Sequence, residues 1–313
     1  MMVDAQINYS HLIKAKATEL GFDACGISPA KLLEEDSARL SGWLGSGHHG
    51  TMGYMANHFE KRVNPAKLVE GAKSVVSVLL NYYTDRKQED PEAPVISKYA
   101  LGKDYHHELK ERLFKLLSYI QTELSPCEGR AFVDSAPLLE KALAREAGLG
   151  WIGKNSLLIH PRKGSFLFIG ELVLDLELDY DDPFGNNLCG SCTRCMDSCP
   201  TGAIIAPSQL DARKCISYLT IETKEEIPEP LAGSLTNRLI GCDICQEVCP
   251  WNSKAQQHEV LAFQPKTELL QMTASAWKML DKPTYNRLFK GTAVGRAGFV
   301  RMKRTLEHLS GPK

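Results

Sequence analysis

Eight of the ten cysteines of this 313-residue chain lie between residues 189 and 249. The first four follow the spacing C-x2-C-x2-C-x3-C, directly before Pro200. Bacterial ferredoxins with two [4Fe-4S] clusters use this spacing, in which three thiolates bind one cubane and the fourth binds the other. The second group of four repeats the pattern, but its first cysteine, Cys215, is displaced far upstream. The sequence therefore predicts two [4Fe-4S] clusters that transfer electrons one at a time.

The spacing also predicts how the eight ligands divide between the clusters. The predicted ligands of cluster one are Cys189, Cys192, Cys195 and Cys249, and those of cluster two are Cys199, Cys215, Cys242 and Cys245. Structural zinc is the weaker alternative, because zinc sites rarely carry a third cysteine at this spacing followed by Cys-Pro. Disulfides are typical of short secreted chains, which this chain is not.

Composition and length bound the class of protein. Hydrophobic residues make up 43% of the chain, enough to bury a large core. The length suits two or three domains. The N-terminus shows no secretory signal pattern, and no long apolar run follows, which predicts a cytoplasmic protein without membrane association. The cytoplasm also keeps cysteine thiols reduced.

The net charge of -1 conceals an uneven distribution. Residues 278–313 contain nine Lys or Arg and two Asp or Glu, a balance of +7, so the rest of the chain carries -8. A basic segment on an acidic body is typical of a protein that binds a polyanion. A solvated helix surface would explain the same run of charges.

The elements that must position any active residue are predicted from periodicity. Predicted strands and helices alternate up to about residue 180, which favours an α/β domain with one central sheet. We therefore predict a multidomain α+β and α/β protein with three regions. Residues 1–180 form the α/β domain, residues 181–255 a ferredoxin-like domain with both clusters, and residues 256–313 a short helical, basic C-terminal segment. The N-terminal domain is expected to carry the chemistry, with the clusters supplying electrons.

Asp134 is the candidate acid of the N-terminal domain. It follows a predicted strand at residues 131–133, and open α/β sheets bind their ligands at the carboxyl ends of strands. In an apolar, enclosed site the pKa of a carboxyl group is raised, so that it can hold and donate a proton near neutral pH. The alternative is that Asp134 or Ser135 only caps the helix predicted after Pro137.

A glycine-rich stretch at residues 45–53 contains a formal G-x-G-x-x-G. No clear strand precedes it, so we reject a dinucleotide-binding loop and expect a flexible polar loop. The nearby His48, His49 and His58 lack partners at metal-ligand spacing and are interpreted as loop histidines. Cys25 and Cys127 lie outside the cluster pattern and are interpreted as free thiols.

Longer motifs resemble one known family over nearly the whole chain. These motifs are KRV at 61–63, GKDYH at 102–106, VDSAP at 133–137, GLGWIGKN at 148–155, CISYLTIE at 215–222 and GCDICQ at 241–246. Together with the cysteine spacing they resemble the epoxyqueuosine reductases, cobalamin- and iron–sulfur-dependent enzymes of the last step of queuosine biosynthesis. The combination is far more specific than the cysteine pattern alone.

The resemblance implies a cobalamin bound between the α/β domain and the cluster domain, with Asp134 as the proton donor. Asp104-Tyr105-His106 begins like the usual Asp-x-His-x-x-Gly cobalamin signature, but Leu109 stands where Gly is required. This agrees with the family's base-off binding mode, in which no protein histidine replaces the lower ligand. The cobalamin contacts that the resemblance implies are Arg62, Ser97, Asp134, Lys154, Asn155, Ser156, Ser217, Cys242 and Asp243.

The implied reaction removes the epoxide oxygen of epoxyqueuosine at the wobble position of tRNA. It consumes two electrons and two protons and leaves an alkene and water. The anticodon loop must be splayed and the modified base turned out to reach the cobalt. The implied partners are this tRNA and a low-potential electron donor such as flavodoxin or ferredoxin, and we expect a monomer. The basic C-terminal segment would then contact phosphates.

Two alternative functions fit parts of the sequence. A two-cluster electron carrier without chemistry of its own would need neither Asp134 nor cobalamin. A reductive dehalogenase-like reductase of small molecules would use both cofactors, but such enzymes typically carry a twin-arginine export signal, which is missing here.

Overall fold

The computed structural model describes residues 8–310. Residues 1–7 and 311–313, which the predicted first and third regions include, lie outside this range. No helix within it is both long and apolar enough to cross a membrane.

Helices and strands alternate irregularly along the chain. The helices are α1 (Tyr9–Glu19), α2 (Glu34–Gly45), α3 (Phe59–Val63), α4 (Tyr105–Tyr119), α5 (Glu140–Glu146), α6 (Arg194–Asp197), α7 (Glu229–Ala232), α8 (Ile244–Glu247), α9 (Thr267–Leu270), α10 (Ala274–Lys278), α11 (Lys282–Phe289), α12 (Ala293–Ala297) and α13 (Phe299–Ser310). The strands are β1 (Ala24–Pro29), β2 (Ser74–Asn81), β3 (Val95–Ile96), β4 (Gly129–Phe132), β5 (Trp151–Ile152), β6 (Leu158–Ile159), β7 (Leu167–Leu174), β8 (Ile204–Ala206), β9 (Gln209–Leu210) and β10 (Arg238–Ile240).

The N-terminal region is built on a four-stranded sheet in the order β1-β2-β7-β4. All three strand pairings are antiparallel. The prediction of an α/β sheet with ligands at its carboxyl ends is therefore wrong, because neighbouring antiparallel strands end at opposite edges of the sheet. Alternation of helices and strands along the sequence does not fix strand direction. The strands predicted at residues 22–27, 75–80, 131–133 and 165–178 are present as β1, β2, β4 and β7, and β2 is buried along almost its whole length.

Helix α4 covers the sheet and confirms the amphipathic helix that the 3.6-residue spacing of the apolar residues between Leu109 and Leu124 predicts. Its apolar stripe, including Leu109, Leu113 and Leu116, is fully buried in the main hydrophobic core. The Asp104 side chain caps the helix by accepting a hydrogen bond from the backbone N–H of His106 at 3.1 Å. The packing of α4 therefore fixes where Asp104 and His106 lie.

The C-terminal segment shares a second hydrophobic core with residues from earlier in the chain. Trp277, Phe289 and Met302 are fully buried there, together with Ile96 of β3 and Leu239 of β10. Strands β3 and β10 also pair in parallel. Between residues 256 and 310 the structure has five α-helices. The sequence predicts helices at about residues 267–270, 274–280 and 298–309, which correspond to α9, α10 and α13, whereas α11 and α12 were not predicted.

The glycine-rich loop packs against the segment that follows Cys215. The Thr51 backbone N–H donates to the Tyr218 hydroxyl at 2.8 Å. Gly50 has a φ of +56°, and a Cβ there would lie 2.5 Å from the same hydroxyl. Glycine is therefore required for the close approach of Tyr218, which packs against the predicted flexible loop at this point.

Candidate active site between the sheet and the cluster region

Four of the eight cysteines line one cavity of about 270 Å³: Cys189, Cys192, Cys195 and Cys249. These are the four predicted ligands of cluster one. Trp251 and Lys154 also line the cavity. The Trp151 indole Nε1–H donates to Cys189 Sγ at 3.4 Å, the type of bond that tunes the potential of a cluster.

Of the other four cysteines, Cys215, Cys242 and Cys245 are the more deeply buried. Burial raises the pKa of the Cys215 thiol. Burial and the nearby Cys215 together raise the pKa of Cys242 to about 11, and they raise the pKa of Cys245 further. Burial also opposes ionisation of Cys199, but hydrogen bonds from Thr201 and from backbone N–H groups outweigh it and lower its pKa. Close, buried thiols ionise together only where a cation compensates them, which an iron–sulfur cluster does. Within residues 8–310, no group of three or more His, Cys, Asp or Glu side chains is placed to hold a metal ion.

Asp134 lies in the turn that leaves β4, with a left-handed φ of +54°. Its Oδ2 is 3.1 Å from His106 Nε2, and its backbone N–H donates to Glu140 Oε1 at 2.5 Å. Helix α5 begins at Glu140 and has no side-chain cap. The alternative in which Asp134 or Ser135 caps this helix is therefore wrong.

The pKa of Asp134 is lowered, chiefly by its hydrogen bond to His106, although burial opposes this. The predicted raised pKa is therefore wrong for this structure. The physical reason is twofold. The Asp134 side chain is 54% exposed, and its closest partner is a base rather than an apolar wall.

His106 is a site residue that sequence reasoning missed, although it lies in a motif singled out for the family resemblance. Its Nδ1 is 2.6 Å from Asp104 Oδ1, and Arg296 Nη1 lies 2.8 Å from each of its ring nitrogens. Burial disfavours a charged ring, but the hydrogen bonds to Asp104 and Asp134 outweigh it and raise the pKa of His106. The signal in the sequence that could have identified His106 is the Asp-x-His spacing at the start of a helix.

The segment after Cys215 faces Asp134. Burial, aided by the Asp134 charge, raises the pKa of Glu222. Burial and Glu222 raise the pKa of Tyr54 to about 12. Arg62 Nη2 donates to the Tyr54 carbonyl oxygen at 3.0 Å, which places Arg62 on the same side of the site as Tyr54. Ser217, another predicted contact, directly precedes the π-helical turn at Tyr218–Glu222.

Ser97 and Asp243 bind each other in the structure. Ser97 Oγ donates to Asp243 Oδ1 at 2.5 Å, and the Lys98 backbone N–H donates to Asp243 Oδ2 at 2.7 Å. Both side chains are almost fully buried. These two predicted contacts join the N-terminal region to the cluster region directly beside Cys242.

The loop at residues 153–156 joins three parts of the molecule. Lys154 Nζ donates to the Gly190 carbonyl oxygen at 2.8 Å, and Asn155 Nδ2 lies 3.4 Å from that of Cys245. The Ser156 carbonyl oxygen accepts from Lys141 Nζ at 2.7 Å, and Lys141 is adjacent to the Glu140 that binds Asp134. The start of α5 thus links Asp134 to both cluster motifs.

Two of the predicted cobalamin contacts carry buried polar atoms that lack a partner among the described residues. They are Arg62 Nε and Ser156 Oγ. Buried polar atoms without a hydrogen bond are rare, and a bound ligand often explains them. Both groups donate hydrogen bonds, as the amide and phosphate oxygens of a corrinoid would require. The residues present therefore fit this group.

The basic C-terminal segment uses part of its charge internally. Arg301 and Arg304 of α13 both donate to the Thr223 carbonyl oxygen at 3.3 Å. Arg304 also donates to the carbonyl oxygens of Leu219 and Glu225. These two arginines brace the segment that faces Asp134, so the expectation that they contact phosphates is not supported by their position.

Two family models match the chain. A 4Fe-4S double cluster binding domain matches residues 188–252, and a model described as epoxyqueuosine reductase QueG, DUF1730, matches residues 62–135. An epoxyqueuosine reductase of Leadbetterella byssophila is 52% identical over 299 residues, covering 96% of this chain and 97% of its own length.

Solved structures show the same fold. A crystal structure of epoxyqueuosine reductase with an epoxyqueuosine-modified tRNA-Tyr stem loop superposes with a TM-score of 0.87 at 29% identity, over 96% of this chain and 80% of that one. A Bacillus subtilis epoxyqueuosine reductase, described with its Asp134 catalytic loop swung out of the active site, gives 0.86 at 28% identity, over 96% and 80%.

Proposed function

The chain belongs to the epoxyqueuosine reductase family and reduces epoxyqueuosine in tRNA, and we propose that it does so with cobalamin and with Asp134 as the proton donor. The observation that carries the proposal is the position of Asp134. It is held by His106 and Glu140 beside a loop that contacts both cluster motifs. The protein binds two [4Fe-4S] clusters through its double cluster domain.

The ligand sets of the two clusters form part of the proposal. Cys189, Cys192, Cys195 and Cys249 would hold cluster one, which their shared cavity supports. Cys199, Cys215, Cys242 and Cys245 would hold cluster two. Since Cys242 is adjacent to the buried joint at Asp243, cluster two would lie nearer the junction of the regions. Electrons would then enter at cluster one and leave from cluster two.

Cobalamin would be held at this junction by Arg62, Ser156 and their neighbours on the 153–156 loop. The unpartnered donors on Arg62 and Ser156 support this placement. Lys154 and Asn155 already bind backbone carbonyl oxygens, so they would contribute by shaping the loop. When bound, cobalamin would supply the strongly reducing, nucleophilic Co(I) centre that epoxide deoxygenation needs.

Asp134 would place a proton on the epoxide oxygen as the strained ring opens, so that no bare alkoxide forms. Binding of the base would cover the exposed half of the Asp134 side chain and reduce its hydration. Loss of water raises the pKa of a carboxyl group, which favours proton transfer at that moment. The description of the Bacillus subtilis structure names a catalytic aspartate loop, which supports this role for the aspartate loop after β4.

The tRNA would deliver the modified base out of its stack, because enzymes that act on a base take it out of the stack to reach its reacting atoms. The stem loop bound in the related crystal structure supports tRNA as the substrate. A monomeric state, a cytoplasmic location and a flavodoxin or ferredoxin as electron donor stay predictions.

Asp134→Asn tests the proposal, because asparagine keeps the size of the side chain and cannot donate a carboxyl proton. We expect turnover of epoxyqueuosine-bearing tRNA to fall by roughly 10²–10⁴-fold, the usual contribution of a general acid. Iron content and the absorbance of bound cobalamin should match the unmodified protein. Full activity in the variant would remove Asp134 from the mechanism, and protein that binds no cobalamin after reconstitution would refute the cofactor assignment.

A further inference from the structure

Asp104, His106 and Asp134 form a row of three side chains in contact. A single catalytic aspartate does not explain why the other two residues are there. His106 Nδ1 is 2.6 Å from Asp104 Oδ1, and His106 Nε2 is 3.1 Å from Asp134 Oδ2. Each of these contacts is a hydrogen bond only if a proton lies in it, since a carboxylate and an unprotonated ring nitrogen both accept. A hydrogen bond between His106 and Asp134 therefore requires a proton on His106 Nε2 or on the Asp134 carboxyl group.

The charges around His106 favour that proton on the ring. Two carboxylates, Asp104 and Asp134, and one guanidinium, Arg296, contact the imidazole. Protonation of the ring brings their sum to zero. Arg296 opposes the added charge, while the two carboxylates favour it and prevail. Ser135 Oγ lies 3.4 Å from Nε2, and the Tyr105 ring lies 4.2 Å away between centroids at a tilt of 30°. Neither group carries charge at neutral pH.

Besides His106, the groups that face Asp134 from other elements are the guanidinium of Arg296, which favours the charged carboxylate, and several acidic or phenolic side chains. Glu140 binds its backbone N–H, and Tyr105 lies within hydrogen-bonding reach of its carboxylate. Glu222 and Tyr99 are close enough for the Asp134 charge to raise their pKa values, after burial as the main cause. None of these groups is a base in direct hydrogen-bonding contact with the Asp134 carboxylate, as His106 is.

We propose that His106 is the source of the proton that Asp134 delivers to the epoxide oxygen. This inference rests on the proposed role of Asp134. In the step, the Nε2–H bond of His106 breaks, a C–O bond of the epoxide breaks, and an O–H bond forms by way of the Asp134 carboxylate. The C–O electron pair stays on the oxygen and takes the proton, the reductant supplies two electrons to the carbon that loses this bond, and the imidazolium becomes a neutral imidazole. The electrons for the overall reduction come from the clusters.

Asp104 has a distinct part in this arrangement. Its Oδ1 holds the Nδ1–H, which keeps Nε2 directed at Asp134 and stabilises the charged ring. His106 and Asp104 act through Asp134, so both are positioning residues rather than catalytic ones. Their contribution should therefore appear in the pH dependence of the reaction as well as in its rate.

The test compares pH profiles of single-turnover epoxide reduction by the fully loaded enzyme. In the unmodified protein the rate should fall as pH rises through the titration of His106. Asp104→Asn keeps the helix cap but weakens the charged ring, so this fall should move to lower pH. His106→Gln should reduce the rate at pH 7 by about 10-fold or more and move the fall to near pH 4, the range of a lone aspartate. A fall at unchanged pH in both variants would overturn the proposal.

A second measurement does not depend on activity. NMR of protein labelled with ¹⁵N-histidine, with the His106 signals assigned by their loss in His106→Gln, should show a ring that stays protonated above the ordinary histidine range. In Asp104→Asn its titration should shift to lower pH. A His106 that is neutral at pH 7 would overturn the inference. An inactive Asp134→Asn with an unchanged pH profile in His106→Gln would sink this inference alone, whereas a fully active Asp134→Asn would sink the proposed function.

Discussion

At the scale of single residues, Asp134 is held by its main chain as well as by its side chain. A φ of +54° is unfavourable for a residue with a Cβ, although aspartate tolerates it better than most. The hydrogen bond from the Asp134 N–H to Glu140 Oε1 holds this conformation. Burial, followed by the Asp134 charge, raises the pKa of Glu140 to about 7, but both its neutral and its charged forms can accept this bond.

Removal of the Glu140 carboxyl group should therefore loosen the Asp134 turn. In Glu140→Ala we expect the amide of residue 134 to exchange its hydrogen about five times faster, equivalent to a hydrogen bond of about 1 kcal/mol. Hydrogen exchange resolved to this peptide measures the effect. Glu140→Gln is the matched control, because its amide oxygen can still accept the bond, and it should exchange nearly as slowly as the unmodified protein. Equal exchange in all three proteins would contradict this account.

At the scale of elements, the joint between β3 and β10 connects the sheet region to cluster two. Gly241 leaves β10 with a φ of +70°, and a Cβ there would lie 2.6 Å from the Ser97 Cβ. Ser97 in turn binds Asp243, directly after Cys242, a predicted ligand of cluster two. The close approach of these backbones therefore depends on the glycine.

Gly241→Ala should destabilise this joint for two reasons, the left-handed backbone and the steric overlap. The first costs about 1–2 kcal/mol and the second about 1–3 kcal/mol. Gly291→Ala is the matched control, because Gly291 has a φ of +73° with open space around it. We expect the apparent midpoint of thermal unfolding and the iron content to fall further in Gly241→Ala. Identical losses in the two variants would show that the overlap with Ser97 has no consequence.

At the scale of the whole molecule, positive charge collects beside the active site in a cleft of about 400 Å³. We call it the basic cleft; it is lined by His58, Lys61, Lys110 and Arg130, and it borders Ser135 next to the catalytic candidate. This position suits phosphates of an anticodon loop whose wobble base reaches Asp134. It is a better candidate for tRNA contact than the inward-turned arginines of α13.

Lys110→Ala should weaken binding of an anticodon stem loop and reduce the slope of log affinity against log salt by about 0.7 to 1, the value for one lost phosphate contact. Binding titrations at several salt concentrations measure both. Lys115→Ala is the control on the same helix, since Lys115 pairs with Glu111 at 2.6 Å and does not line the cleft. A loss of slope in Lys115→Ala as large as in Lys110→Ala would argue against a localised contact.

Local patterns in the sequence were sufficient to predict the cluster chemistry, helix α4 and the family. The cysteine motif works because cysteines separated by two residues can bind the same metal cluster whatever the rest of the fold does, while the cysteine that follows three residues later binds the other cluster. The spacing of the apolar residues predicted helix α4 because helical periodicity is a local property of the sequence. Asp134 was found for the same reason, as a polar residue at the end of a strand.

The tertiary structure alone decided strand direction and the electrostatics of the site. His106 lies 28 positions before Asp134, and Arg296 lies 190 positions after His106, so no local pattern brings them together. A pKa depends on which charges and how much water surround a group, and these are set only by packing. That is why Asp134, predicted to hold its own proton, has a lowered pKa and a basic partner in the folded protein.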